Sequence, residues 1–216
     1  MIIEKFKKLR KIGYLRYSRN MKDIENLLQK LPKDVFTLRE ANLAGVSRYY
    51  LAKMIDGEQI NELRRGVYQR NAANRDNENI QETAFKVATA KLKEKSAICL
   101  WSALSYYQIT EQVPSMIWAI LPYPYDSKYV RPLRLKDPQW DIGIEKHDGF
   151  LITSIERTLV ESFLNPKYVA ASEAFASLKL ALKDKKTSMI KLLATAEQLG
   201  VKEKIYPFIE IALSQL

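Results

Sequence analysis

Side chains that could bind nucleic acid are concentrated in one short part of this 216-residue chain. They carry hydroxyl, phenol, ammonium and guanidinium groups, and the residues are Ser47, Arg48, Tyr49, Lys53, Arg64 and Arg65. Such groups donate hydrogen bonds to the phosphates and base edges of DNA. The chemistry predicted for this part of the chain is therefore recognition of DNA.

Two helices are predicted to precede and support these residues. An amphipathic helix is expected over residues 21–31, because apolar residues recur there at helical spacing before Pro32; they are Ile24, Leu27, Leu28 and Leu31. A short extended stretch leads to Thr37, and Glu40 stands three residues further on, which is the pattern of a capping box. A short helix is therefore predicted over residues 38–43.

A second short helix is predicted over residues 48–55. Gly45 ends the preceding helix, Ser47 is expected to cap this one, and Gly57 ends it. Two short helices joined by a turn that contains glycine form a helix-turn-helix pattern.

The second of these helices has one apolar face. Leu51 and Ile55 are four residues apart and are expected to face the core together with Val46, while Tyr50 and Met54 lie at the border. A recognition helix uses its exposed N-terminal residues to contact bases in the major groove. The candidate base-reading residues therefore lie at the start of this helix, opposite the core.

A hairpin is predicted next, from the stretch QINELRRGVYQR at residues 59–70. Two strands meet at Arg65 and Gly66, and glycine tolerates the positive φ that a tight turn often needs. Arginines at a hairpin tip are suited to the minor groove or to phosphates. The whole pattern predicts a winged helix-turn-helix; the alternative is a small helical subdomain with two arginines on a solvated turn.

The net charge of +10 is unevenly distributed. Residues 1–20 hold seven basic residues and one acid, whereas residues 21–80 hold 10 basic residues against 9 acids. A basic arm, residues 1–20, is therefore expected before a nearly neutral module. The arm either attracts phosphates or only keeps the chain soluble.

The composition predicts a globular, cytoplasmic protein. Hydrophobic residues make up 47% of the chain and charged residues 28%. Cys99 is the only cysteine, so no disulfide can form within the chain. The sequence lacks the apolar run of about 20 residues that a membrane helix needs, and no secretory leader is expected. No membrane partner is expected.

The remainder of the chain is predicted to be an α+β domain over residues 80–216. Residues 71–79 read NAANRDNEN and lack apolar periodicity, so a linker is placed at residues 73–79 and the winged helix at 21–72. Helices are expected at 82–95, about 102–107, 154–164, 167–183, 187–199 and 202–214. Strands are expected at 115–121, 129–135, 140–146 and 150–154. On the first of these helices an apolar side is expected to be formed by Ala84, Val87, Ala88 and Leu92.

No catalytic constellation is evident, and no catalytic residue, metal or cofactor is expected. His147 is the only histidine and is expected to be a solvated turn residue, and no phosphate-binding glycine motif occurs. Asp141 and Glu145 are predicted to share a strand face and could hold Mg²⁺ in a nuclease, but Lys146 would face the other way. An exposed strand face explains the pattern without chemistry.

Tyrosines and prolines alternate in the stretch LPYPYDSKYVRP, residues 121–132. Tyrosine is favoured at protein interfaces and is also an ordinary core residue. An irregular loop at a protein interface is the favoured interpretation.

Several of these motifs together resemble the AbiEi family of antitoxins. Residues 36–70 resemble the family's N-terminal winged helix through Gly45-Val46-Ser47, Leu51, Gly57 and Arg65-Gly66-Val67-Tyr68. SAICLWSALSYYQITEQVP (96–114) resembles the family's Ser-Ala-Leu helix, and ITSIERTLVESF (152–163) resembles its T-x-x-E-R-T-L-x-D helix. Glu161 stands where the family commonly has Asp. The likeness covers about residues 21–164.

The resemblance implies an antitoxin of a type IV toxin–antitoxin or abortive-infection system. In that family the N-terminal domain binds inverted repeats at its own promoter and represses it, and the C-terminal domain counters a nucleotidyltransferase-like toxin encoded beside it. The candidate DNA-binding residues are Thr37, Ser47, Arg48, Tyr49, Tyr50, Lys53, Arg64 and Arg65. Two alternatives remain: a winged-helix regulator whose second domain binds a ligand or dimerises, and a nuclease targeted by the winged helix.

Overall fold

The computed structural model describes residues 23–71, 79–92, 95–135 and 139–214. The chain divides into two compact units, and the division falls between Glu78 and Asn79. The predicted basic arm, residues 1–20, and most of the predicted linker lie outside the described residues.

The first unit combines helices with a three-stranded antiparallel sheet of order β1-β3-β2. Its described elements are α1 (residues 23–30), β1 (Val35–Thr37), α2 (Leu38–Leu43), α3 (Arg48–Asp56), β2 (Ile60–Arg64) and β3 (Val67–Arg70). The core lies between the helices and the sheet, and its buried residues are Leu31, Phe36, Ala41, Val46, Leu51, Met54, Ile60 and Tyr68.

The predicted start of α2 is confirmed, because Thr37 and Glu40 form a reciprocal capping box. The Glu40 amide donates to Thr37 Oγ1 at 3.2 Å, and the Thr37 amide donates to Glu40 Oε2 at 2.7 Å. The predicted turn at Gly45 is also confirmed, with φ of 78°. Glycine adopts this left-handed conformation without the steric penalty of a side chain.

Two details of α3 differ from the prediction. Met54 is fully buried, whereas Ile55 is only half-buried. The core-facing residues of α3 are therefore three positions apart, at Leu51 and Met54, as well as four apart, at Leu51 and Ile55. The unbranched Met54 side chain fills the core between helix and sheet. Ser47 occupies the N-cap position with extended backbone, but its side chain makes no capping hydrogen bond.

The second unit is an α+β domain, and the predicted fold class is confirmed. Its described elements are α4 (Ile80–Thr89), β4 (Ala97–Ile98), α5 (Leu100–Tyr106), β5 (Ile117–Leu121), β6 (Val130–Arg134), β7 (Ile144–His147), β8 (Phe150–Thr153), α6 (Ile155–Leu164), α7 (Ala171–Lys183), α8 (Met189–Gln198) and α9 (Lys202–Ser214). The strands form a mixed five-stranded sheet of order β6-β5-β4-β8-β7. The largest buried cluster joins β5 and β6 to α5–α9.

Three local predictions in this unit were wrong. The short strand β4 was not predicted, although it pairs with β5 on one side and β8 on the other. Helix α4 ends at Thr89, so Leu92 lies beyond it. Phe85 is buried and Ala84 is exposed, whereas Val87 and Ala88 are buried as predicted.

The ITSIERTLVESF motif is explained by packing. Arg157 at the start of α6 is only 1% exposed, and its Nε donates to Glu161 Oε1 at 2.9 Å. Its Nη1 donates to the backbone carbonyls of Gln139 and Ile142. Gly143 lies so close that a Cβ there would be 2.8 Å from the Arg157 Cβ. The arginine therefore ties the segment before β7 to α6.

Candidate nucleic-acid interface

The exposed face of α3 presents an aromatic and basic cluster. Arg48 and Tyr49 are exposed, and Tyr49 retains 62% of its surface. Lys53 Nζ lies 4.7 Å from the centre of the Tyr49 ring, and the rings of Tyr49 and Tyr50 meet edge to face at 5.4 Å. Cation–π contact holds the ammonium beside the phenol, so Tyr49 and Lys53 act as one preformed surface.

Ser47 lies at the start of this helix and is exposed. Its hydroxyl makes no capping bond, and the N-terminal amides of a helix attract anions through their unpaired N–H groups. Ser47 and the first turn of α3 therefore form a position that a DNA phosphate could occupy.

The hairpin of β2 and β3 forms the wing. Arg65 is exposed at its tip, and Arg64 is half-buried at the end of β2. Gly66 has φ of 75°, and its amide donates to Glu62 Oε1 at 2.8 Å. The pairing shifts register between Glu62 and Arg64. The turn is therefore closed by a side-chain hydrogen bond, and the two arginines differ in exposure.

Tyr68 connects the wing electrostatically to α3. It is 8% exposed and pairs across the hairpin with Glu62. Burial, followed by the charge and hydrogen bond of the Glu62 carboxylate, raises the pKa of Tyr68, whereas nearby Arg48 lowers it. Glu62, Tyr68 and Arg48 therefore belong to one electrostatic cluster.

Thr37 differs from the other candidates because its hydroxyl is already engaged. It accepts from the Glu40 amide and donates to Glu40 Oε2 at 2.8 Å. The neighbouring amide of Leu38 donates to the Gly66 carbonyl at 2.9 Å, which attaches the start of α2 to the wing turn. The geometry gives Thr37 a part in positioning α2.

All eight predicted DNA-binding residues lie in the first unit, on α3, on the wing or at the start of α2. Residues 23–71 hold eight basic and seven acidic residues, so the placement of charge matters more than its total. Glu62 was missed from the sequence, although a lone acid in a hairpin with two adjacent arginines was a visible signal.

The acids proposed for a nuclease do not share a strand. Asp141 lies in a turn before β7, whereas Glu145 is on β7 and accepts a hydrogen bond from the Tyr107 hydroxyl at 2.9 Å. Within the described parts of the chain, no group of three His, Cys, Asp or Glu residues could hold a metal ion. The predicted Asp141–Glu145 strand face was therefore wrong.

His147 is not the solvated turn residue that was predicted. Its ring is half-buried and stacks on Phe150, with ring centres 5.2 Å apart. Its Nδ1 lies 3.1 Å from the Tyr106 hydroxyl, which also donates to Glu82 at 3.1 Å. The histidine is the last residue of β7, and it packs where α4, α5 and β8 meet.

The first unit has the helix and hairpin arrangement of a winged helix-turn-helix. Residues 23–71 match the model of a protein family described as "Transcriptional regulator, AbiEi antitoxin". The resemblance predicted from the sequence is thereby confirmed for the first unit. The match ends before the second unit begins, and no curated protein matches the chain.

Among the helices of the described residues, none is both long and apolar enough to span a membrane.

Proposed function

We propose that this chain is a non-enzymatic antitoxin of a type IV toxin–antitoxin system. The first unit represses the chain's own operon by binding inverted repeats at the promoter. The second unit counters a nucleotidyltransferase-like toxin encoded beside it, without cofactor or metal, in the cytoplasm. The observation that carries the proposal is the face of α3 formed by exposed Arg48 and Tyr49 and half-buried Lys53. It lies beside an arginine-tipped wing, inside the region that matches the AbiEi regulators.

The roles of the residues follow from their positions. Ser47, Arg48 and Tyr49 start the helix that would enter the major groove, where N-terminal recognition-helix residues contact bases. Lys53, held against Tyr49, binds a phosphate or a base. Arg64 and Arg65 enter the adjacent minor groove or bind its phosphates. Tyr50 borders the core and supports Tyr49, and Thr37 holds α2.

The two activities are tested together in cells. A reporter joined to the chain's own upstream DNA measures repression, and growth during expression of the adjacent nucleotidyltransferase-like protein measures neutralisation. We expect the full chain to lower reporter expression and to restore growth. Repression without restored growth would contradict the antitoxin role and favour a regulator whose second unit binds a ligand or dimerises. Restored growth without repression would contradict the repressor role.

A further inference from the structure

Ala52 lies on the exposed face of α3, among the residues proposed to bind DNA. Its side chain is exposed, whereas Leu51 and Met54 face the core. Ala52 follows Arg48 by four residues and Tyr49 by three, and residues at these spacings are neighbours on a helix surface. A short methyl group therefore lies beside two long side chains that are proposed to contact bases.

The charges along α3 favour an approach to DNA by its N-terminal half. Arg48 is the first residue of the helix, and Asp56 is the last and is exposed. A carboxylate at the C-terminal end, where the helix dipole is also negative, disfavours contact with phosphates. Ala52 is the last exposed residue before that acid. It therefore marks the end of the part of α3 that can approach DNA closely.

Ala52 and Tyr49 give this part of the face an apolar component. Tyr49 retains 62% of its surface, and Lys53 Nζ lies 4.7 Å from the centre of its ring. Base pairs present hydrogen-bonding groups in the major groove, and the apolar group displayed there is the 5-methyl group of thymine. Alanine is one of the residues that contact this methyl group, because a small side chain lets the helix backbone approach the base edge. The apolar component therefore fits thymine.

The spacing of the residues also fits the spacing of base pairs. Four residues span about 6 Å along a helix axis, whereas two base-pair steps span about 7 Å. Arg48 and Ala52 can therefore contact base pairs that lie within two steps of each other. Arginine most often reads guanine in the major groove, so we expect a guanine close to the contacted thymine.

We propose that Ala52 is a specificity-determining residue of α3 and contacts the 5-methyl group of one thymine in each half of the inverted repeat. This inference rests on the proposed function, because it requires α3 to enter the major groove of the promoter DNA. The contact removes the methyl groups of both partners from water, which is favourable. Ala52 thereby distinguishes thymine from uracil, which lacks only the methyl group.

The test removes the methyl group from the DNA and leaves the protein unaltered. Upstream duplexes carry deoxyuridine in place of one thymine at a time, and the Kd of the full chain is measured for each by fluorescence anisotropy. Replacement of the contacted thymine should weaken binding by about fourfold, the change expected for burial of one methyl group. Ala52→Gly should bind the thymine and uracil forms of that position equally, because its own methyl group is gone.

A second variant tests the close approach of the helix. Ala52→Leu adds bulk at the contact, so the preference for the upstream duplex over a scrambled one should fall by about tenfold or more. Ala84→Leu, the same change at an exposed alanine of α4, is the matched control and should stay within about twofold of the wild type. Thermal unfolding is measured for every variant. The uracil duplexes need no variant, so a folding defect does not decide the result.

Three results would overturn the inference and leave the repressor role standing. The first is a wild-type chain that binds every uracil duplex as tightly as the thymine duplex. The second is a uracil effect that persists in full in Ala52→Gly. The third is an undiminished preference for the upstream duplex in Ala52→Leu, because α3 would then not approach the bases at this position. A wild-type chain without preference for its upstream duplex would contradict the proposed function itself.

Discussion

Glu62 shows how one side chain can shape the proposed DNA-binding surface without adding to its attraction for DNA. Its carboxylate accepts a hydrogen bond from the Gly66 amide, so it closes the wing turn. The same negative charge repels the phosphates that Arg65 would bind. Glu62 is therefore expected to lower the affinity for DNA while it fixes the conformation of the wing.

Separating these two effects gives the first residue-scale prediction. Glu62→Gln keeps an acceptor for Gly66 and removes the charge, so affinity should rise by about twofold to fivefold for specific and scrambled DNA alike, equivalent to about 0.5–1 kcal/mol. Glu62→Ala removes charge and acceptor, so the preference for specific DNA should fall. Fluorescence anisotropy with both duplexes measures this. Equal behaviour of the two variants would show that the turn hydrogen bond does not matter.

The buried ion pair of the second unit gives another residue-scale prediction. Arg157→Met leaves Glu161 buried without its partner, and it also removes the donors to two backbone carbonyls. The free energy of unfolding should fall by about 3–5 kcal/mol. The double variant Arg157→Met/Glu161→Leu should recover part of this loss, because no unpaired charge remains. Urea unfolding measures the free energy of unfolding of both variants. A double variant that is less stable than Arg157→Met would contradict this view of the ion pair.

At the scale of elements, the sequence predicts those features that depend on local rules. The capping box at Thr37, the turn at Gly45 and the hairpin at Gly66 each need only neighbouring residues, and each was predicted. The strand β4 was missed because a two-residue strand exists only through its pairing with β5 and β8. The contacts of Trp118 with Arg131 and Tyr168 were missed because they join three segments that are distant in sequence.

Within the candidate site, too, features set by neighbouring residues were predicted and features set by contacts between distant segments were not. The exposed face of α3 and the arginines of the wing follow from helical spacing and turn chemistry. The part played by Glu62 requires the strand register that places it opposite Tyr68, and that register contains a shift. The burial of Met54 in place of Ile55 depends on how α3 is rotated against the sheet.

The wing itself provides the element-scale prediction. Arg64→Ala/Arg65→Ala should weaken binding to the promoter, because two cations near phosphates or the minor groove are lost; each base-specific contact contributes about 1–3 kcal/mol. The slope of log affinity against log salt should also flatten. Lys30→Ala/Lys33→Ala, which changes two exposed lysines outside α3 and the wing, serves as the control. Intact promoter affinity in the arginine variant would show that the wing does not contact DNA.

For the whole molecule, the distribution of charge separates two kinds of DNA binding. The net charge of +10 attracts any nucleic acid, with an affinity that falls steeply with salt. Residues 23–71 hold eight basic and seven acidic residues, so bulk charge contributes little to the winged helix itself. We therefore propose that recognition by this unit comes from the placement of Arg48, Tyr49, Lys53 and the wing arginines.

The measurement that tests this account most directly is the affinity of the full chain for its own upstream DNA and for a scrambled duplex of equal length, at two salt concentrations. We expect a preference for the upstream duplex that persists at the higher salt, because base contacts are not screened as bulk charge is. Equal affinity for both duplexes, lost together as salt rises, would contradict it and show that the winged helix does not read sequence.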